Sequence, residues 1–205
     1  MTKPSRRLLI LFAHPAFHKS RINQQLLSSA KSLPGVTVND LYESYPNFHV
    51  NVAREQALLL EHDVIIFQHP FYWYSSPAIL KQWEDLVLEY GFAYGKGGTR
   101  LNGKLCLTAI STGGPSSAYQ RDGYNYFTIR ELLTPFEQTA RLCGMIYLPP
   151  FVVPGVLWMD NQTDLNTYGS VYRQALEALQ DHTIDVSELM NLHTLNEAVT
   201  LLPAS

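Results

Sequence analysis

The residues best suited to chemistry stand where an apolar run gives way to a segment of helical period. Residues 13–23 read Ala-His-Pro-Ala-Phe-His-Lys-Ser-Arg-Ile-Asn. Unpaired N–H groups and the dipole at a helix start favour an anion. His14 and Ser20 can donate hydrogen bonds to a phosphate, and Lys19 or Arg21 can add charge. The alternative is that Ser20 only caps the helix and His14 is a surface residue.

Two further stretches suit a flat ligand. Residues 69–77 (His-Pro-Phe-Tyr-Trp-Tyr-Ser-Ser-Pro) place four consecutive aromatic side chains after a buried apolar run. Aromatic faces are what a planar heteroaromatic ring packs against, although a subunit interface would use them equally well. Residues 111–119 (Ser-Thr-Gly-Gly-Pro-Ser-Ser-Ala-Tyr) carry two glycines, which let the backbone approach a ligand closely.

Common phosphate and metal motifs do not account for the first stretch. The sequence has neither GxxxxGK[ST] nor GxGxxG at this position. His14 and His18 are four residues apart, but they lie in a proline-containing loop without a third ligand at a convincing spacing. Zinc, and metal binding in general, is therefore not predicted.

Buried strands alternate with helices along the chain, which indicates an α/β fold. Strands are predicted at 8–13, 36–41, 64–68 and 104–111, with a fifth at 145–148 and 151–153 around Pro149-Pro150. Helices are predicted at 22–33, 53–61, 134–142 and 163–179, and after an N-cap at Ser76. Residues 134–137 have the spacing of a capping box, with Thr134 as the cap. This pattern predicts parallel strands with helices on both faces, a doubly wound three-layer sandwich. Ligands bind such sheets at the carboxyl ends of the strands, where the three stretches lie.

Composition restricts the class of protein. The length of 205 residues suggests one domain, and a net charge of −3 gives no electrostatic case for a nucleic-acid partner. Cys106 and Cys143 stand in apolar settings and are predicted to be reduced core thiols. The apolar run 8–13 is shorter than a secretory core, and no run approaches the roughly 20 residues of a membrane span. We therefore expect a cytoplasmic protein.

The ordered set of motifs resembles the NAD(P)H:quinone oxidoreductase family, and within it the ancillary oxidoreductases of bacterial glutathione-regulated potassium-efflux systems. The set is Ala-His-Pro, Ser-x-x-Asn, Gln-His-Pro-x-x-Trp-Tyr-Ser-x-Pro and Ser-Thr-Gly-Gly. The stretches 40–46, 54–56, 92–98 and 148–150 are also similar to those proteins. The resemblance covers about residues 7–180, and its specificity lies in the order of the motifs.

The resemblance implies a flavodoxin-like fold with a five-stranded parallel sheet of order 2-1-3-4-5, in a homodimer that binds FMN, or FAD in longer relatives. It implies hydride transfer from NAD(P)H through the flavin to a quinone, in a two-electron, ping-pong cycle. Three groups of residues would then contact the flavin. The phosphate and ribityl chain would meet His14, Ser20, Ile22 and Asn23; the ring would meet Pro70, Phe71, Tyr72, Trp73 and Tyr74; its pyrimidine edge would meet Thr112, Gly113, Gly114 and Tyr119.

Tyr119 is the predicted catalytic residue, because its hydroxyl can meet the charge that develops on a reduced flavin. Family members with a tyrosine–histidine pair place the histidine about six residues further on. Here that position is Asn125. An amide cannot take up a proton, so we expect proton transfer to depend on Tyr119 and solvent.

Three other functions fit parts of the sequence. The first is a regulatory subunit that docks on a potassium-efflux transporter at the inner face of the membrane, with redox activity secondary. The second is a flavodoxin-type electron carrier, which the long aromatic stretch and the modest charge disfavour. The third, an azo- or nitro-reductase, shares the chemistry and is not separable by sequence.

The predicted division of the chain is a flavin-binding domain at 1–182 and a C-terminal tail at 183–205. Val186, Leu189, Met190, His193 and Val199 would form an apolar stripe on this tail. The stripe is predicted to contact a partner protein or to pack within the protein's own dimer.

Overall fold

The computed structural model of the protein describes residues 4–202. Residues 1–3 of the predicted domain and residues 203–205 of the predicted tail lie outside the described residues. One parallel sheet forms the centre, with strand order β2-β1-β3-β4-β5 and a sixth strand that also pairs with β4. The predicted flavodoxin-like order is thereby confirmed. The strands are β1 Leu8–Phe12, β2 Val36–Asp40, β3 Val64–Pro70, β4 Leu105–Ser111, β5 Ile146–Tyr147 and β6 Phe151–Val153.

Helices cover both faces of the sheet because the central strands are apolar on both sides. Every residue of β1, β3 and β4 is buried. The helices are α1 Arg21–Lys31, α2 Leu41–Ser44, α3 Val52–Glu61, α4 Ala78–Val87, α5 Ile129–Leu132, α6 Thr134–Leu142, α7 Gln162–Gln180 and α8 Val186–Leu189. One hydrophobic cluster joins alternate strand residues to α1 and α7, and the other joins the intervening residues to α3, α4 and α6. None of the helices within residues 4–202 is long and apolar enough to cross a membrane.

The fifth predicted strand is two strands in the structure. β5 pairs with Leu105 and Cys106, whereas β6 pairs with residues 109–111 further along β4. Pro149 and Pro150 separate them, because proline has no N–H to donate to the ladder. The prediction of five strands is therefore corrected to six, although β5 and β6 share the fifth position in the sheet.

Two predicted helix caps are wrong. Helix α4 begins at Ala78 with Pro77 at its N-cap, so Ser76 lies one residue too early to cap it. Thr134 is the first residue of α6 rather than its cap, because the short helix α5 runs directly into α6 through Leu133. The capping box belongs instead to Thr128 and Glu131 at the start of α5.

A buried carboxylate ties the helices of one face to the sheet edge. Glu55 of α3 is fully buried. Its oxygens accept hydrogen bonds from Tyr45 Oη at 2.5 Å, Asn39 Nδ2 at 2.7 Å and Trp83 Nε1 at 2.7 Å. Arg54 Nη1 also donates to it at 2.5 Å. A buried charge is tolerated only with such partners, so the hub fixes β2, α3 and α4 relative to one another.

The C-terminal tail packs on its own chain. Leu189, Leu195 and Ala198 are fully buried in the same cluster as α1 and α7. Asn196 accepts a hydrogen bond from Val152 N at 2.8 Å and donates one to Val152 O at 2.9 Å. Met190 of the predicted stripe is 43% exposed. The described part of the tail, residues 183–202, therefore covers β6 and packs into the same core. The division of the chain after residue 182 and a contact of the tail with a partner stay predictions.

Glu84 of α4 makes the stability of this fold depend on pH. Its Oε1 is buried without a hydrogen-bond partner among the described residues, and burial raises the pKa of the carboxyl to about 7. The protonated form is thus favoured by folding. This contribution is complete below the unfolded pKa of about 4.5 and is lost as the pH rises through 7.

We therefore expect Glu84→Gln to stabilise the protein at pH 8 by on the order of 2 kcal/mol, with the difference shrinking towards pH 5. Urea unfolding across this pH range measures it. The control is Asp85→Asn on the same helix, because Asp85 is exposed and pairs with Lys81. A gain in stability that is the same at pH 5 and pH 8 would contradict the assignment.

Candidate functional site

A cavity of about 510 Å³ opens at the carboxyl ends of β1, β3 and β4. We call it the edge cavity. Its volume lies within the range of small-molecule sites. The loop after β1, the aromatic loop after β3, the start of the loop after β4 and the segment after β6 surround it. The lining residues are His14, Ala16, Lys19, Ser20, Arg21, Ile22, Pro70, Phe71, Tyr72, Ser111, Gly113, Val156, Leu157, Met159, Asp160 and Leu165.

His14 is held as a hydrogen-bond donor in this cavity. Its Nδ1 accepts the backbone N–H of Ala16 at 3.1 Å, which leaves Nε2 to carry the proton of the neutral ring. The ring is nearly buried and meets Tyr72 edge-on at 5.9 Å between centroids. Burial lowers the pKa of His14, so the imidazole is neutral at pH 7. The residue can therefore donate to an anion without carrying charge.

The start of α1 forms the polar end of the cavity. Ser20 is the N-cap of this 11-residue helix, and its Oγ accepts from Asn23 N. Ser20 also lines the cavity, so capping and ligand contact are compatible roles for it. Arg21 Nη1 donates to Asp160 O at 3.3 Å and ties the helix start to the segment after β6. The first-turn N–H groups and Arg21 make this end favourable for a phosphate.

Asn23 lies beneath the cavity rather than in its lining. Its side chain is almost fully buried, and Nδ2 donates to Ser20 Oγ at 3.0 Å and to Ser111 Oγ at 3.1 Å. Gln68 Nε2 donates to Asn23 Oδ1 at 3.4 Å, and Tyr172 Oη donates to Gln68 at 3.1 Å. This buried network joins β3, β4, α1 and α7 under the helix start.

The aromatic loop, residues 71–77 after β3, makes a tight turn whose aromatic side chains differ in exposure. Ser75 N donates to Tyr72 O at 3.0 Å, and Trp73 and Tyr74 between them have φ of 50° and 62°. This left-handed region is costly for residues other than glycine. Phe71 and Tyr72 line the edge cavity with Pro70, whereas Trp73 is 92% exposed. Backbone strain of this kind concentrates at functional sites.

A second, shallower opening adjoins the first on the side of the loop after β4. Gly114, Tyr119 and Asn125 line it together with Tyr74, whose hydroxyl donates to Asn125 Oδ1 at 3.0 Å. Tyr119 is nearly buried, 6.4 Å from Phe71 between ring centroids. Burial raises the pKa of Tyr119, so its hydroxyl keeps its proton at neutral pH.

The two remaining residues of this loop differ in their surroundings. Thr112 is fully buried and donates to Gly114 O at 2.8 Å, which fixes the loop rather than facing the edge cavity. Gly113 lines the edge cavity, and a Cβ there would come within 3.2 Å of Leu157 Cδ1. A larger residue at position 113 would therefore crowd that wall.

Sequence reasoning missed the segment after β6, residues 156–160. This segment supplies Val156, Leu157, Met159 and Asp160 to the cavity, opposite the aromatic loop. The signal was available, because the segment follows the last strand at the same carboxyl edge of the sheet. It lacks the glycines and polar pairs that drew attention to the other loops.

The residues that are brought together fit an elongated ligand with an anion at one end and a flat ring at the other. His14, Ser20 and the start of α1 form the anionic end, and Pro70, Phe71, Tyr72 and Leu157 supply apolar walls. Of the other predicted contacts, Tyr74, Gly114 and Tyr119 line the adjoining opening. Trp73 is exposed to solvent, and Asn23 and Thr112 lie outside both linings, so the predicted flavin contacts of these three residues stay predictions.

Comparison with known proteins gives a consistent result. Residues 6–179 match the family model described as flavodoxin-like fold. The chain is 44% identical to the glutathione-regulated potassium-efflux system ancillary protein KefG of Cronobacter sakazakii, over 86% of this chain and 95% of that protein. It is 47% identical to the uncharacterized NAD(P)H oxidoreductase YrkL of Bacillus subtilis, over 78% of this chain and 92% of that protein.

Two solved structures are similar in both sequence and fold. The general stress protein 14 of Treponema denticola, in complex with FMN, superposes with a TM-score of 0.81 and 36% identity, over 85% of this chain and 99% of that chain. An NADPH-quinone reductase from P. pentosaceus superposes with a TM-score of 0.75 and 36% identity, over 82% and 96%.

The buried position of Asn23 leads to a stability prediction. Asn23→Ala should lower the free energy of unfolding by about 1–3 kcal/mol without added ligand, because Ser111 and Gln68 lose their buried partner. Urea denaturation of ligand-free protein measures the change. Asn166→Ala, on the exposed face of α7, serves as the control. An unchanged free energy of unfolding in the Asn23 variant would show that the network does not stabilise the fold.

Proposed function

Because the chain belongs to the family of flavodoxin-like folds, we propose that it is a flavin-dependent NAD(P)H:quinone oxidoreductase. The observation that carries the proposal is the edge cavity, which pairs a neutral histidine donor and a helix start with an aromatic wall. The similarity to an NAD(P)H oxidoreductase and to an NADPH-quinone reductase supports it. The large aromatic surface favours a substrate-binding enzyme over an electron carrier.

The cofactor proposed for this site is FMN. His14 and Ser20 with the backbone of Ile22 would hold its phosphate, and Pro70, Phe71 and Tyr72 would hold its ring, with Gly113 at the edge. When bound, the flavin supplies two-electron hydride chemistry between the nicotinamide donor and the acceptor. The FMN complex of the Treponema denticola protein supports this choice.

The protein's own residues position the reactants and hold a proton. Tyr119 Oη keeps a proton at neutral pH, because burial raises its pKa, and it can donate that proton to developing negative charge. The Asn125 amide accepts from Tyr74 and orients this side of the opening, but it cannot take up a proton. Proton exchange therefore runs through Tyr119 and solvent.

A second candidate function is a regulatory one. The similarity to a potassium-efflux ancillary protein over most of both chains favours it. We propose that this chain acts in the cytoplasm and docks peripherally on such a transporter, with its redox activity retained. Because the described part of the tail packs into the core, point substitutions at its exposed Met190, rather than truncation, are the means to test docking in a pull-down.

The enzymatic proposal predicts a yellow protein that releases FMN on heating and oxidises NADPH with menadione as acceptor. Tyr119→Phe should lower kcat by at least about tenfold without loss of flavin, since a positioned acid contributes roughly 10²–10⁴-fold. The control is Tyr90→Phe, which removes a hydroxyl from a largely exposed side chain that lines none of the cavities described. A colourless protein that cannot be reconstituted would refute the flavin assignment, and a loss of less than a few-fold would refute the role of Tyr119.

We also propose that the protein is a homodimer joined through exposed aromatic side chains and Leu157, several of which line the two openings. We call this set the aromatic rim. Large apolar patches exposed on a monomer commonly mark a contact with a partner. The rim consists of Tyr72, Trp73, Tyr74, Tyr124, Tyr126, Phe127, Leu157 and Trp158, all exposed.

Trp73→Gly tests this proposal, because it should raise the stability of the isolated chain while lowering the affinity of the dimer. Glycine relieves the left-handed backbone at this position, which should stabilise an isolated chain by about 1 kcal/mol. Loss of the indole should weaken the dimer. We therefore expect sedimentation to show a dissociation constant raised at least about tenfold, as for a central interface aromatic, with a matched control at exposed Leu142→Ala. A variant that stays dimeric with unchanged affinity would contradict the proposed interface.

A further inference from the structure

A larger cavity of about 700 Å³ lies beside the catalytic tyrosine, away from the edge cavity. We call it the lateral cavity. The loop after β4 forms one wall and the beginning of α5 forms another. Strand β6 with its flanking residues Pro150 and Pro154, and the C-terminal tail through His193 and Asn196, close the remaining sides. The tail thus has a second effect besides covering β6, because it completes a pocket.

Tyr119 joins this cavity to the proposed redox site. It lines both the lateral cavity and the shallow opening with Gly114 and Asn125. Its ring is also 6.4 Å from that of Phe71, which lines the edge cavity. A molecule whose reactive ring lay over Phe71 and Tyr119 could therefore continue past Tyr119 into the lateral cavity.

The lining of the lateral cavity has the chemistry of an anion site with a flat apolar surface. Arg130 is its one Lys or Arg side chain, and none of its lining residues is acidic. Arg130 is only loosely paired, at 3.7 Å from Glu137, which also binds Arg141 at 2.6 Å. Tyr168 supplies an aromatic side chain, and the other polar side chains of the lining are Ser116, Gln120, Thr128, Thr194 and Asn196.

Apart from Glu137, two carboxylates adjoin lining residues of the cavity in sequence, and both are engaged with other groups. Glu131 accepts hydrogen bonds from Thr128 and pairs with Arg121. Glu197 accepts from Thr194 N at 3.0 Å and from its hydroxyl at 3.1 Å. Both are engaged in capping the segments to which they belong, so Arg130 remains the charge that a ligand would meet.

We propose that the lateral cavity binds the phosphate-bearing adenosine arm of the nicotinamide dinucleotide, with Arg130 on a phosphate and Tyr168 beside the base. This inference rests on the proposed function. A quinone has no charge for Arg130 and would not need a cavity of this polarity. The dinucleotide is long enough to react at the ring site while its other end lies beyond Tyr119.

Arg130→Gln tests the assignment with two hydride donors. The first is NADPH, and the second is N-benzyl-dihydronicotinamide, which has the reactive ring but no adenosine arm. The variant should raise KM for NADPH roughly tenfold, as expected for loss of a charge-assisted hydrogen bond, and should weaken competitive inhibition by ADP to a similar degree. Its kinetics with the short donor should match those of the wild-type protein, because that donor does not reach the lateral cavity.

Arg121→Gln is the matched control. Arg121 is near in sequence, pairs with Glu131 and does not line the lateral cavity. An unchanged KM for NADPH in Arg130→Gln would overturn the assignment. Equal losses with both donors, equal losses in the control or a shift in the oligomeric state would also overturn it. Failure of the wild-type flavin-loaded protein to oxidise either donor would instead refute the proposed function.

Discussion

The buried amide of Asn23 is the constraint on which the site depends. Its two ends connect the start of α1 to β3 and β4, and through Gln68 to Tyr172 of α7. Ser111, Gln68 and Tyr172 are buried and Ser20 is half-buried, so the network can be satisfied only when the helix start and both strand ends are in register. The position of the phosphate end of the edge cavity follows from this requirement. Ser20 is held from below by the same amide that fixes the strands.

The rigid network contrasts with the strained loop beside it. Trp73 and Tyr74 occupy backbone conformations that glycine or asparagine would adopt more easily. The Trp73 side chain makes little contact with its own chain, since it is almost wholly exposed, whereas Tyr74 donates a hydrogen bond to Asn125. A strained turn can persist next to the network because β3 and β4 are buried and paired along their full length. The fold thus tolerates local strain where the proposed ligand and partner surfaces lie.

The sequence predicted the scaffold well, for a physical reason. Strands buried on both faces read as continuous apolar runs, so β1, β3 and β4 were visible directly. The split of the fifth strand depends on its register with β4, because β5 pairs at Leu105 and Cys106 and β6 pairs at residues 109–111. Pairing between strands far apart in the chain is not visible in a local sequence pattern. The cap of α6 was misassigned for a similar reason, because α5 occupies the preceding turn.

Side-chain direction was the least predictable feature of the site. His14, Ser20 and Phe71 line the edge cavity as the motifs suggested. Asn23 belongs to the same motif and turns the other way, since one helical residue faces the cavity while another faces the sheet. Arg54 and Glu55, which lie in another of the similar stretches, take part in the buried hydrogen-bond network around the Glu55 carboxylate and line neither opening of the site.

The side-chain amide of Asn196 covers the outer edge of β6, because it pairs with both the N–H and the carbonyl of Val152. An uncovered strand at that position would offer a template for edge-to-edge aggregation. The tail blocks such growth at β6 with the Asn196 amide and with Leu195 N, which donates to Pro150 O at 2.9 Å.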